Sequence, residues 1–198
     1  MCVKRLASTN THIYKTYITK NLNVFQQGWA LYAEFLGEEL ALFDRPYELF
    51  GRYAFEIFRA GRLVVDTGIH AMGWSRDQAV DYLRNYTFMT RDQVEKEVDR
   101  YVTWPGQACA YKIGELKMKE LRTRAMNKLG WKYSPQEFHT NVLQIGPVPL
   151  RLLEEHIDHW IASNVPSVAY SKHLDDFNFV VILIVILFRA LIMHFNIL

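Results

Sequence analysis

With 198 residues, 50% of them apolar or aromatic, the chain can bury the core of one domain, although an apolar C-terminal stretch inflates that share. Its 23 basic and 21 acidic residues are interspersed and leave a formal charge of +2, which argues against nucleic acid or an acidic surface as partner. Cys2 and Cys109 stand far apart in no metal-binding spacing, so no structural disulfide is expected; Cys109, among small apolar residues, reads as a buried thiol.

Residues 1–26 are polar, rich in Thr, Asn, Lys and Tyr, and start without the apolar core of a secretory signal peptide. They predict an arm with at most one weak element around Ile13–Leu22. The run Gly28-Trp-Ala-Leu-Tyr-Ala-Glu34, continuing to Leu40, predicts a turn-rich opening into a helix. Trp29, Leu31, Tyr32, Phe35 and Leu36 supply its apolar face, and Glu34, Glu38 and Glu39 its charged one. Pro46 breaks the pattern. A long helix is expected over 47–72, although Gly51, Gly61 and Gly68 each cost it up to about 1 kcal/mol against Ala. So many glycines in one helix imply close approach of a backbone or a ligand.

Gly73 is placed to end that helix, and Ser75-Arg-Asp-Gln78 and Thr90-Arg-Asp-Gln93 are capping boxes opening the next two. Pro105-Gly106 separates them from a long helix over 107–129, ended by Gly130. Ser134-Pro-Gln-Glu137 is a third box with Pro at the first helical position, and its helix ends near Gly146. A final helix is expected over 150–162. No run reads as a strand, so the expected fold class is all-α, with about seven helices. Residues 164–176 look like a linker. Residues 177–198, unbroken hydrocarbon and aromatic from Phe179 to Phe188, reach the roughly 20 residues a bilayer span needs, with Arg189 close enough to the end to snorkel. This segment reads either as a membrane anchor for a helical binding or scaffold module, or as divergent sequence at the edge of a coding block.

Gly28–Glu34 resembles the Glu-Gly-Trp-Ala-Leu-Tyr-Ala-Glu signature of a family of zinc-metallopeptidase-like proteins catalogued as domain of unknown function 885. The resemblance continues through Arg59-Ala-Gly-Arg-Leu-Val-Val-Asp-Thr-Gly-Ile-His70 and Gly73-Trp-Ser75. It resumes in Thr103-Trp-Pro-Gly-Gln-Ala-Cys-Ala-Tyr-Lys-Ile-Gly-Glu-Leu-Lys117, Glu137-Phe-His139 and Gly146-Pro-Val-Pro-Leu150. It implies that residues 27–163 are the C-terminal part of a larger metallopeptidase-like fold, with zinc as cofactor and peptide as substrate in intact relatives. The family's metal site is a His-Glu…Gly-His motif completed by the Glu that opens the signature. Gln27 occupies that Glu position here, and the chain has no His-Glu pair. A catalytic zinc takes about three protein ligands and an open position for water. No metal is therefore expected on this chain, and no peptidase activity alone.

Candidate site residues come from the same blocks. Asp66 and His70 are spaced to share a helix face: Asp66 could fix the His70 tautomer for substrate or oxyanion contact, or the pair could be a plain intrahelical hydrogen bond. Arg59 and Arg62 flank that helix, as peptide-carboxylate ligands or as surface arginines. By resemblance in kind, Tyr111 is the candidate oxyanion donor. Lys112 and His139 are candidate substrate contacts along the cleft. Glu34 lies two helical turns beyond Gln27 on the same side. His156 and His159 have a metal-compatible spacing but no evident third ligand, and read as structure. An isolated part of a larger domain should also expose apolar helix faces that invite association.

Overall fold

The computed structural model describes residues 23–165, which fold as helices joined by short turns, with no strand among them. The weak element around Ile13–Leu22, most of the 164–176 linker and the apolar segment 177–198 lie outside the described residues. Within them, no helix is long and apolar enough to cross a membrane.

Helix α1 covers residues 23–39 and is already helical at its first described residue. Gly28 is therefore inside a helix and does not open one, and a packing contact explains its tolerance there. A Cβ on Gly28 would lie 2.6 Å from the Gly114 carbonyl carbon, and one on Gly114 would lie 2.6 Å from the Gly28 Cα. Two helix backbones touch at this point, which offsets the conformational penalty of glycine in a helix.

Helix α2 (Pro46–Ala71) starts with proline at its first turn. Of its glycines, Gly68 seats the Trp74 ring, 2.5 Å from where a Cβ would stand, and Gly61 accepts Leu83 at 3.0 Å. Gly51 meets nothing within 4 Å, so the expectation of close approach fails there. Helices α3 (Arg76–Tyr86) and α4 (Arg91–Thr103) open on capping boxes made in both directions, Ser75 with Gln78 and Thr90 with Gln93. Helix α5 (Ala110–Leu129) begins later than the pattern predicts, because residues 104–109 form a turn with Gly106 at φ +81°. After a 3-10 turn, Gly130–Lys132, come α6 (Pro135–Gln144) and α7 (Leu150–Asn164). The third box is half made: Ser134 accepts from the Glu137 N–H, but the Glu137 carboxylate does not reach back.

The apolar faces assemble into two cores. One joins α1 with α5, α6 and α7 through Phe25, Tyr32, Met118, Leu121, Phe138, Leu153 and Ile157. The other joins α2, α3 and α4 through Val65, Val80, Leu83, Val94, Val98 and Tyr101. What lies between them positions the candidate site.

Candidate functional site

The cores meet along a seam of charged and amide side chains from α1, α2, α5 and the 104–109 turn. Arg62, on α2, is 5% exposed and donates through Nη2 to Gln107 Oε1 at 3.1 Å; Arg100, from α4, donates to the same oxygen at 3.1 Å. A guanidinium can only donate, so the Gln107 oxygen must face the arginines and its nitrogen must face Gln27. That nitrogen donates to Gln27 Oε1 at 3.3 Å, and Gln27 Nε2 in turn donates to Asn23 Oδ1 at 3.2 Å. Two cations thus set the direction of a relay of three amides.

The Arg62 guanidinium lies 5.2 Å from the Tyr111 ring centroid and 5.5 Å from those of Phe58 and Tyr101, which are cation–π distances. Its hydrogen bond among the described residues goes to the neutral Gln107 oxygen, and its buried Nε has no partner there. Arg59 is also 5.2 Å from the Tyr111 ring, and its Nη2 reaches Glu34 at 3.5 Å.

Asp66 and His70 share a face of α2 but do not pair. Asp66, 3% exposed, accepts the Gly106 N–H at both carboxylate oxygens, 3.0 and 3.1 Å. His70 donates through Nε2 to the Tyr101 carbonyl at 2.9 Å. The expected pair loses because each group finds a partner across the helix interface: a turn N–H presented at positive φ, and a carbonyl in the last turn of α4 whose second lone pair remains after it accepts the Trp104 N–H. Beside Asp66, burial and then the carboxylate push the Cys109 thiol up to about 11, so the predicted buried thiol is also unreactive at neutral pH.

Lys112 is committed to a bracing network. Its Nζ contacts Glu56 at 2.9 Å and Glu115 at 2.7 Å, while Lys119 contacts Glu115 at 2.6 Å and Arg52 contacts Glu56 at 3.0 Å. Burial pushes the Glu56 carboxyl upward, but Lys112, Lys119 and Arg52 outweigh it and hold the group below the usual carboxylate range.

His139 lies elsewhere, on α6 in the other core. Its Nε2 meets the Tyr32 hydroxyl at 2.9 Å, and its ring packs edge-on against Trp29 and Phe138. Burial, then Arg122, holds the imidazole below its usual range, while burial raises the Tyr32 hydroxyl to about 12. His156 is half-buried and His159 exposed on α7. Among the described residues, no group of three His, Cys, Asp or Glu side chains could hold a metal ion.

The fold therefore brings together Gln27, Arg62, Asp66 and Tyr111, with Arg59 and Glu34 beside them, and leaves His139 apart. Sequence reasoning missed Gln107, Arg100 and Tyr101. Gln107 carried a usable signal, a long polar side chain directly after Pro105-Gly106; Arg100 sits on an ordinary charged helix face and carried none.

These features define an all-helical domain with a buried, arginine-lined polar site. A family model described as bacterial protein of unknown function (DUF885) matches residues 5–157, and the chain belongs to that family. The match starts upstream of Gly28, within the stretch that reads from sequence as an unmatched arm. A solved structure described as a candidate lipoprotein from Colwellia psychrerythraea is similar at 43% identity with a TM-score of 0.70, over 71% of this chain and 24% of that one. This chain thus spans about a quarter of that relative's length. No curated protein matches.

Proposed function

We propose that the chain corresponds to the C-terminal part of a zinc-metallopeptidase-like protein and supplies one wall of its cleft without the metal centre. The observation that carries this reading is the convergence of separate sequence blocks. Gln27 from the first, Arg62 and Asp66 from the second, and Gly106, Gln107 and Tyr111 from the third all meet in one seam. Blocks that share only helix-forming tendencies have no reason to place their polar residues together.

The residues around position 27 do not fit a catalytic zinc. The Gln27 amide is neutral and engaged at both ends, by Gln107 and by Asn23, and neither neighbour is a zinc donor of the usual kind. The wall's role is then to grip and orient: Arg62, Arg100 and Tyr111 present donors and a ring face, and Lys112 braces α2 against α5. Exposed aromatics on α2 and in the turn between α3 and α4, Phe50, Phe55 and Phe88, support the companion proposal that this part associates with another surface.

The test is hydrolysis of a mixed peptide library by the purified chain with zinc added. Turnover should not exceed that of zinc alone, and Gln27→Glu by itself should not create any. Hydrolysis that a chelator abolishes would overturn the proposal.

A further inference from the structure

We propose that Arg62, with Arg59 across the Tyr111 ring and Arg100 across the Gln107 oxygen, forms a binding site for a carboxylate, and that its ligand is the terminal carboxylate of a peptide. The inference deepens the reading above by naming what the wall grips.

Arg62 is short of hydrogen-bond partners for a buried cation. Arg62 is 5% exposed, yet its hydrogen-bond partner among the described residues is one neutral amide oxygen, which it shares with Arg100. Buried guanidinium groups ordinarily sit against a carboxylate, because desolvating an uncompensated charge is expensive. None of the carboxylates nearby ion-pairs with Arg62 among the described residues: Asp66, one turn along α2, accepts the Gly106 N–H, Glu34 reaches toward Arg59 at 3.5 Å, and Glu97 lies 3.6 Å from Arg100. The buried Arg62 Nε is left with no partner among the described residues.

The shape of the site points the same way. The aromatic rings of Phe58, Tyr101 and Tyr111 lie at cation–π distance and hold the planar group without using its donors. A flat cation gripped by rings, with donors on its edge, matches the two oxygens of a carboxylate better than a spherical anion. Access is through half-exposed side chains, since Arg100 is 41% exposed and Tyr111 is partly exposed. The amide at position 27 belongs to the same logic. A glutamate there would place a negative charge on the Gln107 nitrogen, next to both arginines, and would oppose an incoming carboxylate; Gln27 leaves the cluster open.

The experiment is calorimetric titration of the full chain with N-acetyl-dialanine, its C-terminal amide and acetate. The acid should bind saturably, and both the amide and acetate about tenfold more weakly or worse. Arg100→Gln, at a part-exposed position that leaves the core intact, should weaken the acid and leave the amide unchanged. Gln27→Glu should do the same, with helical circular dichroism confirming that each variant folds. Failure of the acid to bind, equal binding of acid and amide, or an acid preference that survives Gln27→Glu would overturn the proposal. Acetate binding as tightly as the peptide acid would overturn the peptide assignment. Hydrolysis of the ligand would instead count against the inactive-wall reading, so the two proposals fail separately.

Discussion

The two cores are built on different principles. The α2–α3–α4 core is small, rich in valine and alanine, and its helices are started by local devices: proline at the head of α2 and complete capping boxes on α3 and α4. The core of α1, α5, α6 and α7 is larger and more aromatic, and it depends on long-range fits such as the Gly28–Gly114 contact and the Tyr32–His139 bond. One half is specified mostly by neighbours in sequence, the other mostly by partners far along the chain. The polar seam lies where these halves meet.

The largest effect should come from breaking the long-range half. Gly114→Val would drive a branched side chain into the α1 backbone, where no rotamer change relieves the clash, and should cost at least about 3 kcal/mol in urea unfolding. Gly51→Ala, facing open space, should be neutral or stabilising by about 0.5–1 kcal/mol. Equal effects of the two changes would refute the α1–α5 backbone contact.

The locally specified half should respond more mildly. Ser75→Ala and Thr90→Ala each remove a side-chain acceptor for an otherwise open helix N–H and should cost about 1 kcal/mol apiece. Lying on separate helices, they should add closely when combined.

The smallest effect separates the cores by pH. His139 is held below the ordinary histidine value of about 6.5, so its contribution is present above that value and is lost as pH falls through the lowered folded value. Stability should therefore decline on acidification in that window, and His139→Gln should flatten the decline. Urea midpoints of the two proteins at about pH 7.5 and about pH 5.5 check this. A decline unchanged by the substitution would place the titrating group elsewhere.

Much of the local architecture is legible in the sequence. The all-α class, the helices from α2 onward and the stops at Gly73 and Gly130 follow from apolar period, prolines, glycines and capping signals acting over a few residues. The start of α5 is not legible in the same way, because nothing in Gln107, Ala108 and Cys109 breaks a helix, yet the turn that includes Gly106 at positive φ runs on through them. Of the site, Arg62, Asp66 and Tyr111 can be nominated from their blocks, but their partners cannot. Asp66 and His70 look paired only because spacing along one helix is the visible information.

The sequence by itself determined where most helices after α1 begin and end, the start of α5 excepted, because caps and breakers act through backbone groups only a few residues away. It also marked Cys109 as buried, from its small apolar neighbours. Tertiary structure alone decided that Gly28 and Gly114 touch, that Asp66 serves the Gly106 N–H, and that two arginines share the Gln107 oxygen. Each of these joins residues distant in the chain. A buried polar group takes the best-placed donor or acceptor in three dimensions, and local spacing does not record which one that is.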